Sequence, residues 1–424
     1  MLVLYSVALL LVLVLGSPYW LFRMATSGKY REGLGERLGR VPARIRAALD
    51  GTHVVWIHAV SVGEALAASR LIEELSRRGS ESPRPWRVVI STTTRTGQTL
   101  ARQRFGADRV FYFPLDFAFA VRAWLRVLRP KLLVLVETEF WPRMLVECRR
   151  GGIPVCVVNA RISDRSWPRY CDLSFLWTRL LSGLALVLAQ SEIDAHRIRS
   201  LGALKVQVTG NLKYDIRAAR AAAATMMLRE HIPPGTAVLV CGSTLAGEET
   251  LLLDALPPWT ITILAPRHPE RFAEVVELLQ RRAPLWVRRS EWSAAPASLK
   301  PGTVFLLDSI GELASVYSLA TAAFVGGSLV PAGGHNPLEP AQFGVPVVMG
   351  PHYENFRGIV EKFREKDAIR IVTPDQLGQA LEELLSASPA ARLQGLKGKE
   401  IFEAESGATE RTVEPLIDIL RARK

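Results

Sequence analysis

Residues 53–64 read HVVWIHAVSVGE, an apolar run that breaks into Ser61-Val62-Gly63 and ends on the carboxylate of Glu64. Its apolar residues are consecutive rather than alternating, so the strand it predicts is covered on both faces, as in a parallel sheet flanked by helices. The next stretch, EALAASRLIEELSRR (64–78), repeats Ala67, Leu71 and Leu75 at four-residue spacing, the stripe that an amphipathic helix buries. Strand, tight turn and helix in this order form the opening of a doubly wound α/β domain.

The alternation continues outward. Apolar runs at 86–92 (WRVVIST), 131–136 (KLLVLV), 154–159 (PVCVVN), 184–189 (LALVLA) and 206–209 are the other strands expected in the first half. At 216–234 no strand is readable and Pro233-Pro234 closes the stretch, which reads as an inter-domain connection. A second series runs through 237–243 (AVLVCGS), 260–266, 303–308, 321–327 and 345–350. The expected fold class is therefore α/β, with two consecutive Rossmann-like doubly wound domains over 23–215 and 235–424. A chain of 424 residues is too long for one ordinary core, which agrees. The tail 374–424 reads as mainly helical, and 281–302, with Trp286 and Trp292 among Arg, Ser and Pro, carries no readable element.

Composition narrows the function. With 49% apolar and 22% charged residues the chain folds, and its formal charge of +12 favours partners that carry phosphate or another dense negative charge. Nucleic acid, an anionic membrane and a phosphorylated substrate all satisfy that, although the basic residues lack the interleaved aromatics of a nucleic-acid surface. Residues 1–22 carry no charge, and one helix of that length, at ~1.5 Å per residue, spans a ~30 Å hydrocarbon core. They are expected to form a membrane anchor; a cleaved signal peptide is disfavoured, since a basic leader and an A-x-A site are both missing. Arg23, Lys29, Arg31, Arg37, Arg40, Arg44 and Arg46 follow, against Glu32 and Glu36, which by the positive-inside rule puts the body of the protein in the cytoplasm. Cys148, Cys156, Cys171 and Cys241 match neither a CxxC pair nor a zinc site and read as buried free thiols in a reducing compartment.

In open α/β sheets ligands gather at the carboxyl ends of strands, where helix N-termini offer N–H groups to anions. The second half has three such places. APRHPERF (265–272) puts Pro266 and Arg267 at a strand end, and DSIGEL (308–313) does the same with Ile310, Gly311 and Glu312. The Gly-rich stretch 326–340 ends in NPLEP, with Asn336, Pro337, Leu338 and Glu339 on a nascent helix. Arginine and helix termini suit a phosphate and a carboxylate suits ribose hydroxyls, so the set reads as a nucleotide site. No GxxxxGK[ST], no GxGxxG after the first strand, no D-x-D pair and no HExxH helix is present, which disfavours ATP-driven work, a dehydrogenase and a metal site.

The first half offers carboxylates: Glu64 of SVGE, Glu137 and Glu139 of VETEFWP (136–142), and beside them Lys213 of GNLKYD (210–215). Singly, each has an ordinary reading, such as a carboxylate answering a helix dipole. Jointly, facing a nucleotide-binding domain, they point to group transfer from a nucleotide-activated donor. Glu36, in GLGERLGR, competes as a base, with a surface ion pair to Arg40 as its ordinary reading.

SVGE, STTTRTG, ETEFWP, NARISDRS, GNLKYD, PRHPERF, VGGSLVPAGGHNPLEP and MGPHYENF together resemble the transferases of 3-deoxy-D-manno-octulosonic acid (Kdo), in order from the N-terminus to about residue 356. The resemblance implies a GT-B architecture, two Rossmann-like domains facing a cleft with an N-terminal membrane-anchor helix, the first domain taking the lipid A precursor and the second the donor CMP-Kdo. It further implies an inverting, metal-independent reaction without a cofactor, at the cytoplasmic side of the inner membrane. By motif match Glu64 is the general base and Glu137 and Lys213 are transition-state stabilisers. The CMP contacts fall on Pro266, Arg267, Ile310, Gly311, Glu312, Asn336, Pro337, Leu338 and Glu339. Family sequences vary at the position of Ile310, which points to a contact through its backbone. Two other classes stay open: a sugar-nucleotide epimerase or hydrolase sharing the donor domain, and a non-catalytic membrane-anchored nucleotide-sugar-binding protein.

Overall fold

In the strand that opens the first domain, Val54 and Trp56 enter one buried cluster and Val55 and Ile57 another, so both faces of the sheet are covered. This is a computed structural model describing residues 2–27, 31–49, 52–164, 166–217, 222–292 and 298–422. Lys29 of the expected basic segment, 218–221 of the expected connection and 293–297 of the unassigned stretch lie outside the described residues.

The first sheet contains β1 (His53–His58), β2 (Trp86–Thr92), β3 (Val110–Tyr112), β4 (Leu132–Val136), β5 (Val155–Ala160), β6 (Leu186–Ala189) and β7 (Val206–Val208). Its order is β3-β2-β1-β4-β5-β6-β7 and all its pairs are parallel, with His53 opposite Trp86 and Val55 opposite Leu132. The second sheet contains β8 (Val238–Thr244), β9 (Ile261–Pro266), β10 (Trp286–Arg288), β11 (Val304–Leu306), β12 (Ala322–Val325), β13 (Val347–Met349) and β14 (Ile369–Ile371). It is also parallel, in the order β10-β11-β9-β8-β12-β13-β14. Strand order reverses at β1/β4 in one sheet and at β8/β12 in the other, and such switch points are where doubly wound sheets hold ligands. β3, β10 and β14, of three residues each, were not expected from sequence.

The chain divides into two compact units, Met1–Ile216 with Ser406–Lys424, and Arg217–Glu405. Two boundaries therefore differ from the sequence reading. Helix Ala223–His231, within the expected connection, buries Ala224 and Leu228 in the core of the second unit. Helix Ala408–Arg421, expected with the second domain, places Ala408, Val413, Leu416 and Ile417 in a core cluster of the first.

At the N-terminus two helices, Leu2–Leu15 and Ser17–Ser27, stand where one anchor helix was expected. Pro18 has no N–H to give to Val14, and the Ser17 hydroxyl donates to the Val14 carbonyl instead at 2.7 Å, so the regular ladder stops there. Among the described residues no helix is long and apolar enough to cross a membrane. Leu4, Leu11, Val12, Val14 and Leu15 of the first helix are nonetheless exposed, Leu15 at 78%. Cys148, Cys156 and Cys241 are buried, and burial pushes the Cys148 and Cys156 thiols up to about 12. Cys171 departs from the expectation: helix Trp167–Asp172 buries none of its residues and leaves this thiol exposed.

Candidate functional site

In the first unit, β1 ends at His58 and the chain turns through Ser61, which caps helix Val62–Ala67 by accepting the Glu64 N–H. Glu64 is in the first turn of that helix, and its side chain folds back over the turn. One carboxylate oxygen accepts the Val60 N–H at 2.8 Å and the other the Ser61 hydroxyl at 2.9 Å. The residue is only 8% exposed, and burial raises its carboxyl to about 7. The two hydrogen bonds oppose that rise, while the nearby charges of Glu137 and Glu139 add to it.

Glu137 follows β4, on the other side of the switch point from Glu64. Its N–H bonds the Val158 carbonyl at 2.9 Å, and its φ of 60° lies in the left-handed region that a glutamate rarely enters. Strain of that kind persists where surrounding structure imposes it, and it gathers at functional sites. Glu139 is raised as well, by burial and then by Glu137.

Lys213 rides on a 3₁₀ turn, Leu212–Asp215, that packs against helix Val62–Ala67. Its N–H is bound by the Asn211 side chain at 3.0 Å. The structure thus gathers Glu64, Glu137 and Lys213 at the carboxyl edge of one sheet. Glu36 is not available there: it pairs with Arg44 at 2.7 Å and accepts the Tyr112 N–H at 2.7 Å, so the ion pair expected with Arg40 forms with Arg44 and the carboxylate clips the end of β3.

In the second unit the three expected segments meet the carboxyl edge around the β8/β12 switch point. Pro266 ends β9 and the Arg267 N–H bonds the Thr244 carbonyl at the end of β8. Ile310 is 80% exposed and Gly311 has φ 87° with open space where a Cβ would project, so this loop offers backbone. The Glu312 carboxylate is engaged inside the unit, accepting the Ala224 N–H at 2.8 Å and the Ser309 hydroxyl and lying 3.5 Å from Arg289. Asn336 accepts the Leu338 N–H through Oδ1 at 3.1 Å in the turn that leads into the short helix Leu338–Ala341, with Pro337 as its N-cap and Leu338 buried. Burial raises the Glu339 carboxyl to about 7, against the pull of Arg267 and a hydrogen bond from Asn336.

Two residues of this edge were missed in the sequence reading. Glu248 is fully buried and accepts the N–H groups of Leu245, Gly327, Ser328 and Leu329 at 2.7–2.9 Å, a carboxyl that shapes the Gly-rich loop and that burial raises against the pull of those four bonds. The signal available for it was Gly247-Glu248-Glu249 at a strand end. His335 packs over Gly327, where a Cβ would meet its ring at 2.9 Å. Burial and the nearby Arg267 and His268 hold this imidazole down at about 4, so it is neutral at pH 7.

Relatives align with most of the chain. Residues 32–216 match the family described as 3-deoxy-D-manno-octulosonic-acid transferase (kdotransferase). A Haemophilus influenzae protein named 3-deoxy-D-manno-octulosonic acid transferase is 34% identical over 408 residues, 93% of this chain and 92% of its own. One of the same name from Bordetella pertussis is 33% identical over 434 residues, 95% of each. Among solved structures, Acinetobacter baumannii MurG is 16% identical with a TM-score of 0.54, covering 87% of this chain and 99% of its own, a likeness of GT-B fold alone. With one residue in three shared over more than nine-tenths of both chains, this chain belongs to the 3-deoxy-D-manno-octulosonic acid transferase family of glycosyltransferases.

Proposed function

We propose that the protein transfers Kdo from CMP-Kdo to a hydroxyl of the lipid A precursor, with inversion and release of CMP. The observation that carries the mechanism is the Glu64 carboxyl: buried, raised to about 7, and set at a switch point near Glu137, with the turn that carries Lys213 packed against its helix. As the acceptor oxygen bonds the anomeric carbon, its proton passes to Glu64, and the carbon–oxygen bond to CMP breaks with its electron pair on the phosphate. A base whose acidity lies near the working pH is effective in that role. Inversion needs no covalent sugar intermediate, by analogy with inverting glycosidases. Glu137 and Lys213 act as transition-state stabilisers, Lys213 through its positive charge.

The donor reading rests on family membership and on the second unit. There Arg267 supplies charge for the phosphate, Ile310 and Gly311 supply backbone, and Glu312 and Asn336–Glu339 line the nucleotide, with Pro266 closing the strand end. Neither a cofactor nor a metal is required. The exposed apolar residues of the first 22, followed by the basic segment, hold the protein to the inner membrane with its catalytic units in the cytoplasm, where an anionic lipid acceptor is met.

The test is transfer by purified protein in detergent with CMP-Kdo, lipid A precursor and EDTA, with the lipid product weighed by mass spectrometry. Wild type should add Kdo, and Glu64→Gln should be slower by roughly 10²- to 10⁴-fold. Unmodified lipid alongside intact CMP binding would leave the donor half standing and remove the acceptor assignment. Release of free Kdo or an epimer without lipid would favour the epimerase or hydrolase reading.

A further inference from the structure

The turn that carries Lys213 is four residues long and has too few internal hydrogen bonds to hold itself. Leu212, Tyr214 and Asp215 are buried, and Lys213 alone of the four is partly exposed. Two buried polar side chains, Asn159 outside the turn and Asp215 within it, tie the turn to its surroundings. On one side Asn159, at the end of β5, accepts the Leu212 N–H through Oδ1 at 3.0 Å. Asn159 is fully buried with φ 55°, a conformation that asparagine tolerates better than most residues, and its carbonyl is held by Gln190 Nε2 at 3.0 Å. Next to it in the strand, the Val158 carbonyl takes the Glu137 N–H. The two bonds tie Glu137 itself, and Leu212 just ahead of Lys213, to adjacent residues of one strand.

On the other side the Asp215 carboxylate accepts the Gly407 N–H at 2.6 Å and the Thr409 N–H, capping helix Ala408–Arg421 from a point 192 residues earlier in the chain. An anion at a helix N-terminus is favoured by the unsatisfied N–H groups there and by the helix dipole. The same residue's backbone carbonyl accepts Arg70 Nη1 at 3.1 Å, and Arg70 belongs to helix Ser69–Glu81, which follows the Glu64 helix directly. The Tyr214 carbonyl accepts the Ser406 hydroxyl at 3.3 Å, and Arg411 and Thr412 bond Thr209 just ahead of the turn. The C-terminal helix and the two residues ahead of it are therefore bonded to the lysine segment at Thr209, Tyr214 and Asp215.

We propose that Asn159 and Asp215 are positioning residues for Lys213, and that the C-terminal helix, through its cap on Asp215, is a working part of the lysine site in the first unit. This rests on the reading of Lys213 as a transition-state stabiliser. Neither residue is assigned a contact with substrate. Their effect is to hold the lysine backbone where its ammonium group is aimed, so their loss lowers kcat and leaves donor KM near its original value.

The experiment is a mutant cycle in the full chain, with folding followed by circular dichroism and thermal unfolding. Asp215→Asn keeps one acceptor oxygen and the shape of the side chain. Asn159→Gly accepts φ 55° without strain and lacks Oδ1, while Asn159→Asp restores an acceptor oxygen. Misplacing the lysine should lower kcat roughly 10- to 100-fold in Asp215→Asn and in Asn159→Gly, with partial recovery in Asn159→Asp. In a Lys213→Ala background the same changes should lower kcat by less than about twofold, because the group they aim is gone. Wild-type kcat in the folded single variants, or losses that add in full to that of Lys213→Ala, would overturn the inference while leaving the lysine's role intact. A Lys213→Ala enzyme as fast as wild type would remove the stabiliser reading, and the inference with it.

Discussion

At the scale of single residues, the proposed base Glu64 makes stability depend on pH. Its carboxyl titrates near 7 in the folded protein and at the ordinary 4.5 in an unfolded chain, so the fold favours the protonated form. Because the folded value is the higher one, this contribution to stability is fully present below about 4.5 and is lost as the pH rises through about 7. A shift of that size corresponds to at most about 3 kcal/mol at pH 8. Glu64→Gln, which never ionises, should therefore unfold at a higher temperature than wild type at pH 8 and at the same temperature near pH 4. A Tm difference that does not change with pH would count against burial as the cause. The same titration predicts that wild-type kcat/KM rises with pH and levels above about 7, which a pH–rate profile of transfer reads directly. Glu64 was legible because a carboxylate right after a buried strand is unusual within a short window. Asn159 was not, because its partner at Leu212 is 53 residues away.

Among elements, the Gly-rich loop after β12 takes its shape from Glu248, whose partners at Gly327, Ser328 and Leu329 lie 79–81 residues on. Removing a carboxylate that satisfies several enclosed N–H groups leaves each donor unpaired at about 1–3 kcal/mol. Glu248→Ala should lower the unfolding temperature and weaken CMP binding by roughly tenfold or more, measured by calorimetry, since the loop leads directly to Asn336–Glu339. Unchanged CMP affinity in a destabilised variant would confine Glu248 to stability. Gly327→Ala should act in the same direction, because φ 68° is strained for alanine and its Cβ would press on His335. Strands such as β1 and β5 were readable because four consecutive apolar residues, Val54–Ile57 and Val155–Val158, mark a buried parallel strand. The three-residue strands β3, β10 and β14 form because a neighbouring strand is already in place to pair with, and no pattern inside them announces it.

For the whole molecule, the charge of +12 and the exposed apolar residues of the N-terminal helices predict membrane association with two separable parts. Binding to vesicles containing anionic lipid should weaken as salt rises from about 0.05 to 0.5 M, since each basic residue near the surface contributes about 1 kcal/mol before screening. Replacing Leu11 and Leu15 by Glu should release the protein from neutral vesicles too; sedimentation with either vesicle type checks both, and salt-independent binding would remove the electrostatic part. Sequence alone determined the α/β class, the two Rossmann-like halves, and the positions of Glu64, Glu137, Lys213 and Arg267. All of these are written locally, in runs of apolar residues and in motifs at strand ends. Only the tertiary structure decided that Glu36 clips β3, that Glu312 is bound within its own unit, and that the last helix belongs with the first unit and is capped by Asp215 of the lysine turn. Those outcomes depend on hydrogen bonds and apolar contacts between residues tens to hundreds of positions apart, and the folded chain alone brings such partners within reach.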